Sequence, residues 1–187
     1  MTEAAVGRVA ARQILRAAVV ALVVLVFDQV TKTWAIRSLE ESVSRHVFST
    51  LHFTLHFNSG MAFSRGTGLG RFIGLGAVVL AGVLIYGLRK PKSPFAVFYT
   101  ALVVGGALGN IGDRLFRAKD GFLSGAVIDF IDVKFWPIFN VADSAVVVGA
   151  VLLVGESWRR DRNALRAART AQAAQVASTP TTEAASS

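Results

Sequence analysis

The sequence contains no cysteine and little charge, and these two features exclude several classes of protein. Without Cys, the 187-residue chain cannot contain a disulfide framework, a thiolate nucleophile, a Cys-ligated zinc or an iron–sulfur cluster. Charged residues make up 17% of the chain, whereas a soluble domain usually has about a quarter. Hydrophobic residues make up 53%, and the mean hydropathy is +0.52. The composition therefore excludes a simple soluble globule and predicts an integral membrane protein.

The hydrophobic residues are concentrated in four long runs. A helix that spans a membrane needs about 20 mostly apolar residues. Segments that approach this length lie at 14–36, 72–88, 95–112 and 139–155, and the middle two carry no charge. No repeat of fixed period relates the four runs, which disfavours an inverted-repeat transporter. We therefore predict four transmembrane helices and a mainly α fold.

The basic residues are distributed unevenly about these runs. Arg8, Arg12 and Arg16 precede the uncharged apolar stretch 17–27 in the manner of a secretory signal peptide. The apolar run continues to Asp28 and Lys32 without a small-residue cleavage site, so we expect a retained helix. With four spans, the side that carries both termini has eleven Lys and Arg against four acidic residues, while the other side has nine against eight. Basic residues near the span ends favour the cytoplasm, so both termini are predicted to be cytoplasmic.

The chain accordingly divides into three parts. We predict a cytoplasmic segment at 1–13, a four-helix transmembrane domain at 14–158, and a cytoplasmic, largely disordered tail at 159–187. Two outer loops remain, at 37–71 and 113–138. Residues 52–57 alternate between polar and apolar side chains and end at a turn signal, which predicts a small sheet at the outer surface.

Polar residues cluster at the predicted outer ends of the spans. Ionisable groups at membrane depth are expensive and usually functional, and such a cluster is more typical of an active site than of a pore. Two pairs of these polar residues also have a purely structural interpretation. Asp28 and Lys32 have the spacing of a helical ion pair, while Asn140 and Asp143 have the spacing of a helix cap. The three histidines and the loop acids Asp120 and Asp132 are more typical of solvated residues than of metal ligands.

Five strings together carry a family resemblance. They are FDQVTK at 27–32, FNSGMAFS at 57–64, GGALGNIGDR at 105–114, VIDF at 127–130 and FNVADS at 139–144. In this order and in these spans, they resemble the lipoprotein signal peptidases, the signal peptidase II family of bacterial membrane aspartic peptidases. The resemblance covers about residues 18–155. One departure is Met61, where the family usually has a small residue.

The resemblance implies both a fold and an activity. The expected fold has four transmembrane helices, an outer β-cradle after the first and a short outer helix between the third and fourth. The family cleaves prolipoproteins before the lipobox cysteine, after that cysteine has received a diacylglyceryl group. By motif match, the catalytic residues are Asp129 and Asp143. The residues expected to line, brace or support the site are Asn58, Asn110, Arg114, Asn140, Asp28, Lys32 and Asp113.

Such chemistry needs two carboxyls that share one proton, because one activates water while the other protonates the substrate. We expect neither a metal nor another cofactor, no nucleic-acid partner, contact with membrane lipids, and a monomer. Asp143 is expected at a helix N-terminus, which favours its ionised form, while the apolar sequence around Asp129 favours the neutral acid.

Three other functions are weaker interpretations of the same residues. A proton-coupled transporter or channel would carry its carboxylates along a path across the membrane, yet the second span has none. A serine peptidase would need a Ser partner for the histidines, which all lie in one outer-loop stretch. A presenilin-like peptidase would have Gly-x-Gly-Asp, and residues 110–113 lack the first Gly.

Overall fold

The computed structural model describes residues 3–60, 69–90, 92–118 and 121–178 of the chain. In these residues, four helices are long and apolar enough to cross a membrane, which confirms the four predicted spans. A three-stranded sheet accompanies them. The elements in chain order are α1 (Glu3–Ser38), β1 (Ser44–Phe48), β2 (Leu51–Asn58), α2 (Leu69–Gly87), α3 (Pro94–Phe116), β3 (Val127–Asp132) and α4 (Val141–Ser178).

The last helix continues well beyond the fourth predicted span. Helix α4 ends at Ser178, so residues 159–178 are helical where a largely disordered tail was predicted. This segment is rich in Ala and Arg, which are among the strongest helix formers. The final residues, 179–187, lie outside the described part of the chain.

The segment between α3 and α4 contains a strand in place of the expected short outer helix. The described residues 121–140 form β3 and no helix. Strand β3 pairs antiparallel with β2, and β2 pairs antiparallel with β1. Val127, Ile128 and Phe130 of β3 are buried, so this apolar run belongs to a sheet. The predicted small sheet is confirmed, and its strand order is β1-β2-β3.

Helix α3 is the centre of the bundle, because small residues allow two other helices to approach its backbone. A Cβ on Gly105 would lie 2.8 Å from the carbonyl oxygen of Ala21 in α1, and one on Gly106 would overlap the carbonyl oxygen of Ala142 in α4. Close backbone packing of this kind is typical of membrane helices. In the most apolar part of α3, 61% of the residues are buried, whereas 17% are buried in the corresponding part of each of the other three helices.

The sheet is held against the end of α1 by an apolar cluster. Ala35 of α1 and Leu39, the residue after its end, pack with Leu55, Ile128 and Phe130 of the sheet. The ring of Trp34 meets the rings of Phe53 and Phe130 edge to face, at centroid distances of 5.2 and 6.0 Å. This packing fixes β3, the strand that carries Asp129, relative to the helices.

Candidate active site

Two carboxylates from different elements line the same cavity. Asp129 lies on β3 and is 1% exposed, while Asp143 lies in the first turn of α4 and is partly buried. The cavity has a volume of about 610 Å³, and Asn58, Asn110 and Arg114 also line it. Most of its remaining wall is apolar, from Ile73, Gly74, Ala77, Leu80, Ala107, Ile111, Val127, Pro137 and Val146. The structure therefore brings five of the nine predicted site residues to one surface.

The N-terminus of α4 holds Asp143 through a reciprocal cap. The backbone N–H of Asp143 donates to Asn140 Oδ1 at 2.9 Å, and the backbone N–H of Asn140 donates to Asp143 Oδ2 at 3.2 Å. The predicted cap is thus confirmed. The other carboxylate oxygen, Oδ1, accepts from Asn110 Nδ2 at 2.7 Å. Because the free N–H groups of a helix N-terminus favour an anion, this position suits an ionised Asp143.

Asp129 lies in a less polar environment. Its two oxygens accept from Asn58 Nδ2 at 2.9 Å and Asn140 Nδ2 at 2.7 Å. Burial raises the pKa of Asp129 to about 7, and the nearby charge of Asp143 acts in the same direction, although the two amide donors oppose the rise. At neutral pH, a large share of Asp129 is therefore protonated.

Arg114 lines the cavity with an unsatisfied donor. Its side chain is 5% exposed, and Nη1 has no hydrogen-bond partner in the part of the chain that the structure describes. Two glycines of α2 make room for this side chain. A Cβ on Gly70 would lie 2.6 Å from Nη1, and one on Gly74 would lie 3.0 Å from Cδ. A buried guanidinium N–H without a partner is costly, so this donor is available to a molecule in the cavity.

Asp28, Lys32 and Asp113 form a buried ion cluster next to the two carboxylates. Lys32 Nζ lies 2.8 Å from Asp28 Oδ2 and 2.8 Å from Asp113 Oδ2, and it donates to Asn110 Oδ1 at 2.9 Å. The three charged side chains are at most 1% exposed. The predicted i,i+4 pair is therefore present, and Asp113 from α3 completes it.

The ion cluster also binds the backbone beside each candidate catalytic residue. Asp28 Oδ1 accepts from the backbone N–H of Ala142 at 2.9 Å, one residue before Asp143. Asp113 Oδ2 accepts from the backbone N–H of Ile128 at 3.2 Å, one residue before Asp129. The positions of β3 and α4 are thus tied to the same lysine.

Sequence reasoning missed one member of this network. Gln29 donates to Asp28 Oδ2 and to the carbonyl oxygen of Gly109, both at 3.2 Å, and to Asp113 Oδ1 at 3.4 Å. The residue lies in the first matched string, beside Asp28. Nothing in the local sequence indicates that an amide here would bridge α1 and α3.

The other acids and histidines do not line the cavity. His46 and His52 each bind a backbone carbonyl oxygen in their own hairpin, at 3.0 Å. Asp132 accepts from Thr54 Oγ1 and Lys134 Nζ. In the described ranges, no three His, Asp or Glu side chains are placed to hold a metal ion. Asp120 and Met61 lie outside the described residues.

Comparison with known proteins identifies relatives along most of the chain. Residues 20–159 match the family described as Signal peptidase (SPase) II. A protein named lipoprotein signal peptidase from Rhodococcus jostii is 44% identical over 138 residues, which are 73% of this chain and 69% of that protein. One of the same name from Syntrophomonas wolfei is 38% identical over 149 residues, which are 76% of this chain and 95% of that protein.

Solved structures show the same fold. A bacterial membrane enzyme determined by the in meso method aligns with a TM-score of 0.69 at 30% identity, over 79% of this chain and 90% of that one. A second structure with the same description aligns with a TM-score of 0.64 at 32% identity, over 74% and 90% of the two chains.

Proposed function

Since the chain belongs to the signal peptidase II family of membrane peptidases, which process prolipoproteins, we propose that Asp129 and Asp143 are its catalytic pair. We propose that the bond cleaved lies just before the diacylglyceryl-modified cysteine of the substrate. The observation that carries the assignment is the convergence of two carboxylates on one cavity, held by amides and by no basic side chain.

The two environments suit the two roles that amide hydrolysis requires. Ionised Asp143 takes a proton from a water molecule, whose oxygen attacks the scissile carbonyl carbon. Protonated Asp129 gives its proton to the carbonyl oxygen, so that a tetrahedral gem-diol forms. When this intermediate collapses, one of its hydroxyls returns a proton to Asp129 as the carbonyl reforms, the C–N bond breaks, and the proton held by Asp143 passes to the leaving nitrogen. The raised pKa of Asp129 supports this order.

Arg114 has a proposed role in substrate binding. Its Nη1 is a charged donor without a partner among the described residues, and it borders the same cavity as both aspartates. A peptide presents carbonyl oxygens that could satisfy this donor. We expect Arg114 to bind a substrate carbonyl, which would hold the scissile bond between the two carboxyls.

Asn58, Asn110 and Asn140 are proposed to position the pair. Asn58 and Asn140 hold Asp129, and Asn110 holds Asp143. Asn140 Nδ2 also donates to Asn110 Oδ1 at 3.2 Å, so the amides form one connected network. The ion cluster supports this network, because it binds Asn110 directly and fixes the backbone before each aspartate. Asp28, Lys32 and Asp113 therefore act through position and do not contact the substrate.

The arrangement in the membrane follows from charge and from the cavity. The excess of basic residues near both termini favours a cytoplasmic location for them, which places the catalytic pair near the outer face. Ile73, Ala77 and Leu80 give the cavity an apolar wall. The diacylglyceryl chains can lie along this wall or in the surrounding lipid while the peptide bond stays at the interface. We propose that a single chain is sufficient, since every proposed site residue comes from one chain.

A cleavage assay with two substrates tests the proposed function. The purified full chain in detergent is incubated with a diacylglyceryl-modified prolipoprotein and, separately, with the same prolipoprotein before lipidation. We expect release of the signal peptide from the lipidated substrate only. Absence of release from folded protein would contradict the function, and equal cleavage of both substrates would contradict the proposed requirement for the lipid. Proton flux in liposomes without cleavage would favour a transporter.

A further inference from the structure

A second cleft lies between α1 and α3, at the end of the bundle away from the catalytic pair. It has a volume of about 730 Å³ and is lined by residues 9–20 of α1, by the beginning of α3 and by the loop before α3. Its apolar surface comes from Val9, Leu15, Val19, Val20, Pro94, Val97 and Phe98. Phe98 and Asn110 are twelve residues apart on α3, or about 18 Å along the helix. The cleft is therefore separate from the catalytic cavity.

Three basic side chains stand at the mouth of this cleft. Arg12 and Arg16 are one helical turn apart on α1, and Lys92 reaches the cleft from the loop before α3. No carboxylate lines the cleft. The contrast with α4 is direct, because Glu156 forms ion pairs with Arg159 and Arg160. The three cleft cations have no such partner among the described residues, so they form a concentrated positive charge.

The position of Lys92 is fixed by a buried glutamine. Gln13 is 7% exposed, and its Nε2 donates to the carbonyl oxygens of Leu88 and Lys90 at 3.2 and 3.3 Å. Its Oε1 accepts from the backbone N–H of Lys92 at 2.8 Å. The loop is thus tied to α1 one residue after Arg12. The backbone of Lys92 is thereby held next to the helix that carries Arg12 and Arg16.

We propose that this cleft binds one anionic phospholipid of the leaflet on the side of the termini. The phosphate group would lie among Arg12, Arg16 and Lys92, whose positive charges complement it. One acyl chain would follow the apolar surface of Val19 and Phe98 toward the bilayer centre. Basic clusters beside apolar helix surfaces recognise anionic lipids in this way. The proposal does not depend on the catalytic assignment, because the two cavities share no lining residue.

The test measures lipid selectivity in a bilayer. The full chain is reconstituted in phosphatidylcholine with a trace of spin-labelled phosphatidylglycerol or spin-labelled phosphatidylcholine, and the motionally restricted fraction of each label is measured. We expect the wild type to prefer phosphatidylglycerol. The triple variant R12Q/R16Q/K92Q should lose this preference, since each cation near the surface contributes about fivefold to binding an anionic lipid.

A matched control removes the same charge from the same end of the protein. The variant R162Q/R166Q/R169Q changes three arginines of α4 that lie outside the cleft, and it should keep the preference for phosphatidylglycerol. An equal loss in both triple variants would overturn the proposal, because the effect would then come from overall charge. Circular dichroism and signal-peptide release establish that each variant is folded.

Two further measurements distinguish binding of a phospholipid from binding of a free anion. Val20→Trp fills the apolar part of the cleft without changing its charge, and it should lower the restricted fraction of labelled phosphatidylglycerol. Inorganic phosphate, compared with chloride at equal ionic strength, should not displace the labelled lipid. Displacement by phosphate together with no effect of Val20→Trp would show a free-anion site and overturn the lipid assignment.

Discussion

Two pairs of carboxylates lie side by side in this fold, and they are stabilised in opposite ways. Asp28 and Asp113 share Lys32, whose ammonium lies 2.8 Å from an oxygen of each. Among the described residues, the hydrogen bonds to Asp129 and Asp143 come from amide groups, and Arg114 lines their cavity without such a bond to them. Two nearby carboxyls that no cation bridges can titrate as a pair and share a proton. We therefore propose that direct contact with Lys32 distinguishes the supporting acids from the proposed catalytic pair.

Asn110 connects the two pairs of carboxylates, and its contact with Lys32 fixes which of its side-chain atoms donates and which accepts. A lysine ammonium can only donate hydrogen bonds. Asn110 must therefore present its carbonyl oxygen to Lys32, which leaves its Nδ2 to donate to Asp143. Lys32, together with Asn140, thus determines which atom of Asn110 faces Asp143, although Lys32 does not line the cavity itself.

Removal of either catalytic carboxyl should have the largest effect. Asp129→Asn or Asp143→Asn leaves an amide that can neither accept the proton of water nor supply one to the carbonyl. We expect release of signal peptide to fall by at least about a hundredfold, since general acid or base catalysis contributes 10²–10⁴-fold. The rate is measured at equal concentrations of folded enzyme. Turnover close to wild type in either variant would exclude that residue from the pair.

Removal of Lys32 should destabilise the protein, because Asp28 and Asp113 then share no cation. In Lys32→Met, two buried carboxylates lose their cation, and breaking a buried pair in this way lowers the free energy of unfolding by about 3–5 kcal/mol. The combined variant K32M/D28N/D113N should recover much of this stability, measured by thermal unfolding in detergent. Its kcat should stay below that of wild type, because Asn110 then loses the ammonium donor of Lys32 and keeps only the weaker contact with Asn140. Full stability of Lys32→Met would contradict the role of the ion cluster.

The comparison also shows which contacts the sequence could predict. The Asn140 cap on Asp143 and the ion pair of Asp28 with Lys32 lie within one helical turn, so spacing alone predicts them. The bond from the N–H of Ala142 to Asp28 joins residues 114 positions apart. Local patterns carry no signal for such a contact. The strings that carry the family resemblance predicted which residues converge, but not that Asp28 and Asp113 bind the backbone next to the catalytic pair.

The errors in the fold have a similar physical origin. A short helix was expected between the third and fourth spans, but the described residues 121–140 form none. The apolar side chains of β3 are instead covered by β2 and the end of α1, which stabilises a strand. The pairing of β3 with β2 joins residues that are distant in sequence, so the local sequence does not predict that this segment is a strand. At 159–178 the composition suggested a solvated tail, yet a helix that begins in the membrane continues easily through Ala and Arg because its nucleation is already complete.

The raised pKa of Asp129 predicts that the stability of the protein depends on pH. Because folding raises this pKa from 3.8 to about 7, the native state binds the proton more tightly than the unfolded chain. Its contribution to stability is therefore present at low pH and is lost as the pH rises from about 4 through about 7. The unfolding temperature of Asp129→Asn should rise relative to wild type over this range. A constant difference would contradict the raised pKa.

The rate of signal-peptide release should also depend on the protonation of Asp129. Once Asp129 loses its proton, the pair has no acid to protonate the substrate carbonyl. We expect kcat/KM for the lipidated substrate to fall by up to about tenfold per pH unit above neutrality. A rate that stays constant well above pH 7 would assign the proton to another group.

A glycine of α3 tests how tightly the ion cluster is packed. A Cβ on Gly109 would lie 2.5 Å from Asp28 Oδ2 and 3.2 Å from Ala142 Cβ, whereas one on Gly112 would meet nothing within 4 Å. Gly109→Ala should lower the free energy of unfolding by about 1–3 kcal/mol through overpacking. Gly112→Ala, its control on the same helix, should stabilise by up to about 1 kcal/mol. Equal effects would show that Asp28 moves aside freely.

The smallest effect is expected at Asp132, which lies on β3 three residues after Asp129. It accepts from Thr54 Oγ1 at 3.1 Å and pairs with Lys134 Nζ at 2.8 Å, so, like Asp28 and Asp113, it has a cation and no role in proton exchange. Lys134 is 45% exposed, and a pair at the surface contributes less than about 1 kcal/mol. Asp132→Asn should therefore leave the rate of signal-peptide release unchanged and lower the unfolding temperature slightly. Asp129→Asn makes the same chemical change on the same strand, so a general disturbance of β3 would lower the activity of both variants. Loss of cleavage in folded Asp132→Asn would show that the pairing of a carboxylate with a cation does not separate structural from catalytic acids in this protein.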